Sequence, residues 1–371
     1  MKTLSLALTT VACMICITGR SQVVQFLKDE NIFQHLDVSV TTGTTGFGFE
    51  LGTNIGDYVK LKSGLSFVPR FEVPMEFDIQ VGDDPRTSKS KFDQLSTKLS
   101  SITGNKVEQE VNMIGKPKFW NWSLMADVYP FKNKHWHVTA GFYLGPSKIA
   151  EAYNATESMS TLLAVDIYNN LYDRVAESPV LNDPLYFFNN NVAQVIQNIG
   201  ILRDMGLADD LFENLSEYPQ LSETYFDIED NAVKRTYQKI YNNGRMGVKM
   251  GKYARDIVDE SGNVIHKKGE TYLMEPDNNS MVKASMYVNS FKPFLGFGYE
   301  GRLIKGDDRY HISVDGGIMF WGGTPRLETH DGTDLINDVE DVPGKVGDYI
   351  QTIDKLKVFP VLNVKVTRTI F

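Results

Sequence analysis

Apolar and polar residues alternate along several segments of this chain, and this alternation limits the possible folds more than any other feature. In Trp136–Leu144, for example, apolar residues at even positions alternate with His, Thr, Gly and Tyr at odd positions. A period of two is typical of β-strands with one apolar and one polar face. The pattern predicts about eight strands, at residues 35–42, 46–53, 57–80, 117–130, 135–146, 281–303, 309–321 and 356–371.

The connections between these strands indicate a membrane barrel. Short turns at 54–57, 131–134 and 304–308 would all lie at one end, whereas the long insertions 81–116, 147–280 and 322–355 would lie at the other. Outer-membrane barrels have short periplasmic turns and long outer loops. The sequence therefore predicts an all-β membrane barrel of about eight antiparallel strands within residues 35–371. A soluble sandwich with the tryptophans in its core is the alternative, because alternation alone does not show which face meets solvent.

Both termini favour an outer-membrane location. The last segment, Val358–Phe371, alternates up to the final residue, and the last strand of a barrel must pair with the first. The first residues have a basic start, an apolar stretch from Leu4 to Ile17 and small residues before Gln22. This pattern predicts a cleaved signal peptide at 1–21. A lipoprotein signal at Cys13 is the less favoured alternative. Residues 22–34 are predicted to form a short helix leading into the first strand.

Composition excludes several classes of function. The two cysteines, Cys13 and Cys16, both lie in the predicted signal peptide. The mature chain would then contain no disulfide, thiolate metal site or cysteine nucleophile. The formal net charge of −9 makes the chain a poor candidate for nucleic-acid binding. After the signal peptide there is no run of about 18 apolar residues, so no transmembrane helix is predicted.

The longest insertion has a helical pattern. Apolar residues recur every four positions from residue 159 to 175, and further helical faces follow at 192–199 and 232–240. We therefore predict a mainly α-helical extracellular insertion, with a helical cap at 147–250. Residues 251–280 are predicted to contain a β-hairpin in the same loop. A shorter helix is predicted near residues 92–102.

Three segments resemble outer-membrane β-barrel proteins of Gram-negative bacteria: Ala126–Phe131, His137–Phe142 and Phe291–Tyr299. In that family an acidic-aromatic-proline turn and a strand of the form KPY/FLGxGY recur. The resemblance covers the strands and not the helical insertion. It implies an integral outer-membrane barrel whose C-terminal strand is recognised by the barrel-assembly machinery, and most members have no assigned activity. The chain departs from the family's assembly signal at Thr367 and Thr369, where apolar or aromatic residues are usual.

Two groups of side chains have predicted positions in such a barrel. The candidates for lining the lumen are Glu50, Lys60, Lys62, Asp127, Lys292, Glu300, His311 and Asp315. An eight-stranded lumen is just wide enough to be filled by side chains, and buried charges need partners, so we expect ion pairs to plug it. Aromatic rings concentrate at membrane interfaces. We predict Trp120, Trp122, Phe320 and Trp321 at the outer interface and Tyr58, Tyr129, Trp136, Tyr310 and Phe371 at the inner one.

No pattern predicts a catalytic, cofactor or metal site. His135 and His137 share a strand face without a further ligand pair, His330–Asp334 matches no complete calcium loop, and no Ser-His-acid arrangement is visible. The sequence therefore predicts a non-enzymatic barrel in contact with outer-membrane lipid, with a plugged lumen and an outer cap that binds a surface glycan or protein or shields the lumen. A narrow porin for small solutes is the alternative, and a lipid-modifying enzyme is less favoured.

Overall fold

The computed structural model describes residues 35–178, 232–355 and 357–370, except for the side chains of residues 232–236 and of Lys345. Four predictions lie outside these residues: the signal peptide at 1–21, the helix at 22–34, the helical cap between 179 and 231, and the interface position of Phe371. Within the described ranges, no helix is long and apolar enough to cross a membrane.

Strands make up most of the described secondary structure. In chain order they are β1 Asp37–Gly43, β2 Gly46–Ile55, β3 Val59–Phe67, β4 Val73–Val81, β5 Glu110–Pro117, β6 Trp120–Val128, β7 Trp136–Leu144, β8 Lys148–Asn154, β9 Met246–Tyr253, β10 Ile257–Val258, β11 Val264–His266, β12 Thr271–Met274, β13 Lys283–Tyr287, β14 Phe291–Ile304, β15 Asp307–Phe320, β16 Arg326–Thr329, β17 Val339–Glu340 and β18 Val358–Thr369. The α-helices are α1 Pro85–Thr103, α2 Met159–Ala176, α3 Ala232–Asn243 and α4 Gly344–Lys355.

Eight of these strands close into an antiparallel barrel in the order β1-β18-β15-β14-β7-β6-β3-β2. The first and last strands close the ring, with pairs running from Asp37–Thr369 to Gly43–Asn363. Short turns join β2 to β3, β6 to β7 and β14 to β15, and Gly56 and Gly306 take positive φ angles of 71° and 87° there. We call this the short-turn end and the opposite one the long-loop end. The predicted fold, a barrel of about eight antiparallel strands with a helical insertion, is confirmed.

Two predicted strands are each divided between the barrel and a second sheet. The prediction for 57–80 spans β3, which ends at Phe67, and β4, which begins at Val73. The prediction for 281–303 likewise spans β13 and β14. The parts outside the barrel, β4 and β13, join a sheet in the order β12-β9-β4-β5-β8-β13-β16, with β17 beside β9. Alternation did not separate them because both environments give a strand one apolar face, which faces lipid in a membrane barrel and other parts of the chain in this sheet.

This second sheet and the helices form an α/β domain at the long-loop end. Its core includes Phe77 and Ile79 of β4, Leu95 of α1, Leu162 of α2 and Val248 of β9, all buried. Helix α1 has clear sequence boundaries, because the Asp84 side chain accepts a hydrogen bond from the Arg86 N–H (3.0 Å) and Gly104 ends the helix with a left-handed conformation. The short strands β10 and β11 pair within residues 251–280.

The buried face of α2 differs from the predicted one. Met159 and Leu163 are exposed, whereas Leu162, Val165 and Tyr168 are completely buried. A spacing of four residues overshoots the helical turn of about 3.6 residues, so five such positions drift by roughly 160° around the helix. The buried positions follow one another at spacings of three or four residues, and only the later predicted positions, Leu171 and Val175, are among them.

Adjacent leucines in α2 provide a test of this packing. Leu162 is 0% exposed and Leu163 is 43% exposed. We expect Leu162→Ala to destabilise the α/β domain by about 2–5 kcal/mol because it leaves a cavity in the core. Leu163→Ala should cost less than about 0.5 kcal/mol. Thermal unfolding and limited proteolysis of the two variants check this expectation, and equal effects would contradict the assigned face.

Candidate functional site

Ion pairs cross the centre of the barrel lumen. Lys62 Nζ lies 2.5 Å from Asp127 Oδ2. Lys365 Nζ lies 2.6 Å from Glu50 Oε2 and 3.0 Å from Asp315 Oδ2. Strand alternation points all five side chains inward, where they are largely shielded from solvent. Charges in such a place need partners, and the structure joins each of these charges to at least one of opposite sign.

An imidazole extends this network. His137 Nε2 lies 2.8 Å from Asp315 Oδ1 and 3.9 Å from Asp127 Oδ2. Thr139 donates a hydrogen bond to Asp127 Oδ1 (2.7 Å). A Cβ atom at Gly298 would come within 2.2 Å of Asp315 Oδ1 and 2.5 Å of His137 Nε2. Glycine at this inward position therefore leaves the space in which the imidazole and the carboxylate meet.

A second charged cluster lies nearer the short-turn end. Glu300 accepts a hydrogen bond from the Tyr129 hydroxyl (3.1 Å), and its other oxygen lies 3.0 Å from His311 Nδ1. Lys60 Nζ lies 2.7 Å from Asp37 Oδ2 and 3.8 Å from Glu300 Oε2. Three predicted lumen residues, Lys60, Glu300 and His311, thus meet here.

The lumen is wide at the short-turn end and narrow at its centre. A cavity of about 350 Å³ opens among the short turns, with Asp57, Lys134 and Arg302 in its wall. The central cavity among the ion pairs is about 10 Å³. A single water molecule needs about 10–15 Å³. Side chains therefore occupy almost all of the central space.

Apolar side chains from the barrel and from the segments just outside it cover the lumen at the long-loop end. The buried members of this cluster are Met125, Tyr143, Ile149, Val288, Phe294, Met319, Trp321 and Val361. Trp321 stacks against Phe359 with ring centroids 5.1 Å apart. Its predicted interface position is therefore wrong, because neighbouring residues face opposite sides of a strand and Phe320 already points outward. Tyr129 also faces inward, on the same side of β6 as Asp127.

The other described interface candidates are on the outside of the barrel. Trp120, Trp136 and Phe320 are exposed. Trp136 packs edge-on against Tyr299 (5.1 Å between centroids), and the Trp122 indole donates a hydrogen bond to Ser63 Oγ (3.0 Å). Tyr58 is exposed, and Tyr310 is half-buried with the Arg368 guanidinium 5.7 Å from its ring centroid.

Sequence reasoning omitted some lumen residues. Asp37, His137 and Lys365 belong to the ion-pair network, although they were not among the predicted lumen candidates. Each lies on the inward side of a strand, so the alternation that identified the other candidates would also have identified these three. Lys292, which was predicted, lies towards the long-loop end, where its ammonium contacts Asn121 Oδ1 (3.3 Å).

The described residues contain no group of three or more His, Cys, Asp and Glu placed to hold a metal ion. His135 Nδ1 lies 2.9 Å from the Glu300 backbone oxygen, whereas His137 faces the lumen. In the His330–Asp334 segment, Asp331 accepts hydrogen bonds from the Thr329 and Tyr272 hydroxyls (2.6 and 2.8 Å). Burial opposes ionisation of Asp331, but these bonds dominate and lower its pKa.

Comparisons with known proteins add little to this picture. No family model and no curated protein matches the chain. CarO2 and CarO of Acinetobacter baumannii are similar at 13% and 12% identity, both with a TM-score of 0.32, over 91% of this chain and 99% and 97% of theirs. A major outer membrane protein from Thermus thermophilus matches at 10% identity and a TM-score of 0.23, over 90% of this chain and 98% of its own. Scores this low carry no weight for fold or function.

The lumen network predicts a large effect of removing its central cation. Lys365→Met leaves Glu50 and Asp315 without their ammonium partner, and breaking a buried pair typically costs about 3–5 kcal/mol. Lys357→Met, at an exposed site just before the same strand, should cost less than about 0.5 kcal/mol. The temperature at which the folded barrel loses its fast migration on SDS gels measures the difference. Equal temperatures for the two variants would refute a stabilising network.

Proposed function

We propose that this chain is a non-enzymatic outer-membrane barrel protein whose lumen is closed by its own side chains. Its α/β domain would lie outside the cell and bind a surface glycan or a partner protein. The observation that carries the proposal is the inverted distribution of polarity in the barrel, with charges inside and apolar side chains outside. The membrane location, the closed lumen and the binding role each have separate support.

An apolar belt supports the membrane location. Every barrel strand exposes large apolar side chains, for example Val40, Phe47, Leu65, Trp120, Val138, Phe297, Ile318 and Val364. Soluble monomers rarely expose a contiguous apolar patch larger than about 300–600 Å². A belt that encircles all eight strands is suited to hydrocarbon rather than to water. Outer-membrane lipid would therefore be the first partner of this surface.

Two layers inside the barrel support a closed lumen. The central ion pairs leave a cavity of only about 10 Å³, and the apolar cluster around Phe294 and Trp321 covers the long-loop end. A narrow porin is the alternative function, favoured by the wide cavity of about 350 Å³ at the other mouth. Passage through such a porin would require both layers to rearrange.

The connections support an outer position for the α/β domain. All of its strands and helices come from the connections β3–β6, β7–β14 and β15–β18, which leave the barrel at the long-loop end. Long loops of outer-membrane barrels face outward. The β10–β11 hairpin exposes Val258, Val264 and Ile265, and exposed apolar side chains of this kind favour contact with another protein.

Conductance separates a closed barrel from a porin. Folded protein inserted into planar bilayers should give no current steps, because ion pairs and rings fill the lumen. A general porin treated in the same way provides the positive control, and heat-modifiable migration of the reconstituted sample verifies insertion. Steps whose size scales with salt concentration would overturn the closed lumen and establish the alternative.

Cysteine labelling tests the orientation. Residues 22–371 contain no cysteine, so a single introduced thiol reports on one site. Ser261→Cys places it at the tip of the β10–β11 hairpin, and Lys132→Cys places it in the short turn between β6 and β7. We expect a membrane-impermeant maleimide to label the first variant on intact cells and the second only after lysis. The reverse pattern would place the α/β domain in the periplasm.

A further inference from the structure

We propose that the barrel binds one small monovalent anion of the chloride type between Lys292 and Asn121, at the long-loop end of the lumen. This site is separate from the ion-pair network and does not depend on the function of the α/β domain. Two observations carry it, both made among the residues that the structure describes: an ammonium group without a counter-charge and an amide N–H without an acceptor.

The ammonium group of Lys292 is the exception among the inward lysines. Lys60, Lys62 and Lys365 each lie within 2.7 Å of a carboxylate oxygen. Lys292 is 1% exposed, and among the described residues its Nζ contacts only neutral oxygens, Asn121 Oδ1 at 3.3 Å and the Ser290 carbonyl at 3.5 Å. None of the ion pairs in the described part of the chain includes it. An ammonium ion buried without a counter-charge is strongly disfavoured.

Asn121 provides a second hydrogen-bond donor without an acceptor among the described residues. Its side chain is 1% exposed, and Nδ2 has no hydrogen-bond partner among the described residues. Since Oδ1 of the same amide contacts Lys292, the unused N–H lies close enough to the ammonium for both to contact one ion. Both groups are donors, so the missing partner must be an acceptor. A negative charge satisfies both at once.

Glycine at position 145 lets the two polar groups approach the backbone closely. Gly145 lies against the pair, and a Cβ atom there would come within 2.6 Å of Asn121 Oδ1 and 3.3 Å of Lys292 Nζ. Lys292 is opposite Tyr143 in the β7–β14 ladder, and Phe294 follows it on the inward face. Both rings belong to the apolar cluster, so the ammonium lies among mainly apolar side chains.

Anion-dependent stability tests the site. The full-length protein, folded in detergent, would be melted in sodium chloride, bromide and gluconate at equal ionic strength. We expect chloride and bromide to raise the melting temperature saturably, by about 2 °C or more over gluconate, because an ion that binds only the folded state stabilises it. Lys292→Met should abolish the difference, whereas Lys305→Met, in an exposed short turn, should retain it.

Asn121→Asp provides an isosteric variant with the opposite expectation. The new carboxylate would stand 3.3 Å or less from Lys292 Nζ and replace the bound anion. Its melting temperature in gluconate should rise to the value that the wild type reaches in chloride, with no further response to halide. Crystals soaked in bromide should show an anomalous peak between Lys292 and Asn121 in the wild type and none in Asn121→Asp.

Three results would overturn the proposal. The first is a wild-type protein whose melting temperature is the same in all three salts. The second is a halide response that persists in both Lys292→Met and Asn121→Asp. The third is a bromide-soaked wild-type crystal without a peak at the site, or with a carboxylate of the chain itself in that position.

Discussion

A closed ring of eight strands imposes one requirement on everything inside it: an inward polar side chain has to find its partner on another strand. Lys365 shows how this is met. Its ammonium reaches Asp315 on the neighbouring strand β15 and also Glu50 on β2, which lies beyond β1. The residue of β1 paired with Lys365 is Thr41, whose short side chain lets the lysine pass. The Lys365–Glu50 pair thus joins two strands that share no backbone hydrogen bonds and reinforces the ring where it closes.

The same period of two has opposite meanings in the two halves of this protein. In the barrel, apolar side chains such as Phe297, which is 62% exposed, point away from the interior. In β4, a few residues after barrel strand β3, apolar residues such as Phe77 and Ile79 point into a core closed by helices. The break at residues 68–72 marks the change of environment. The hydrophobic effect acts in both regions, but only in the α/β domain does the chain itself cover the apolar face of the strands.

The alternation of inward and outward residues along each strand explains how much of the fold and of the lumen could be predicted. Once the strands were assigned, alternation gave the inward positions of Glu50, Asp127 and Asp315, and these residues do meet in the lumen. It could not give their partners, because pairing across a barrel depends on register and stagger, which the strand pattern leaves open. The second sheet was missed for a related reason, since short strands from distant loops pair only in the folded chain. The prediction for Trp321 was wrong because the alternation of inward and outward positions was not followed to the last residue of the predicted strand 309–321.

Inward glycines explain why it was hardest to predict whether the lumen is open or closed. In a sequence, a polar face rich in glycine indicates a roomy interior and is compatible with a porin. In the structure these glycines make space for neighbours: a Cβ atom at Gly296 or at Gly317 would come within 2.6 Å of the Phe294 ring. The Phe294 ring thus occupies the volume that larger side chains at these two positions would fill. Glycine on the inward face therefore indicates close packing of neighbouring side chains and not a wide lumen. Whether the lumen is closed therefore depends on which residues of different strands face each other, and only the register of the strands determines this.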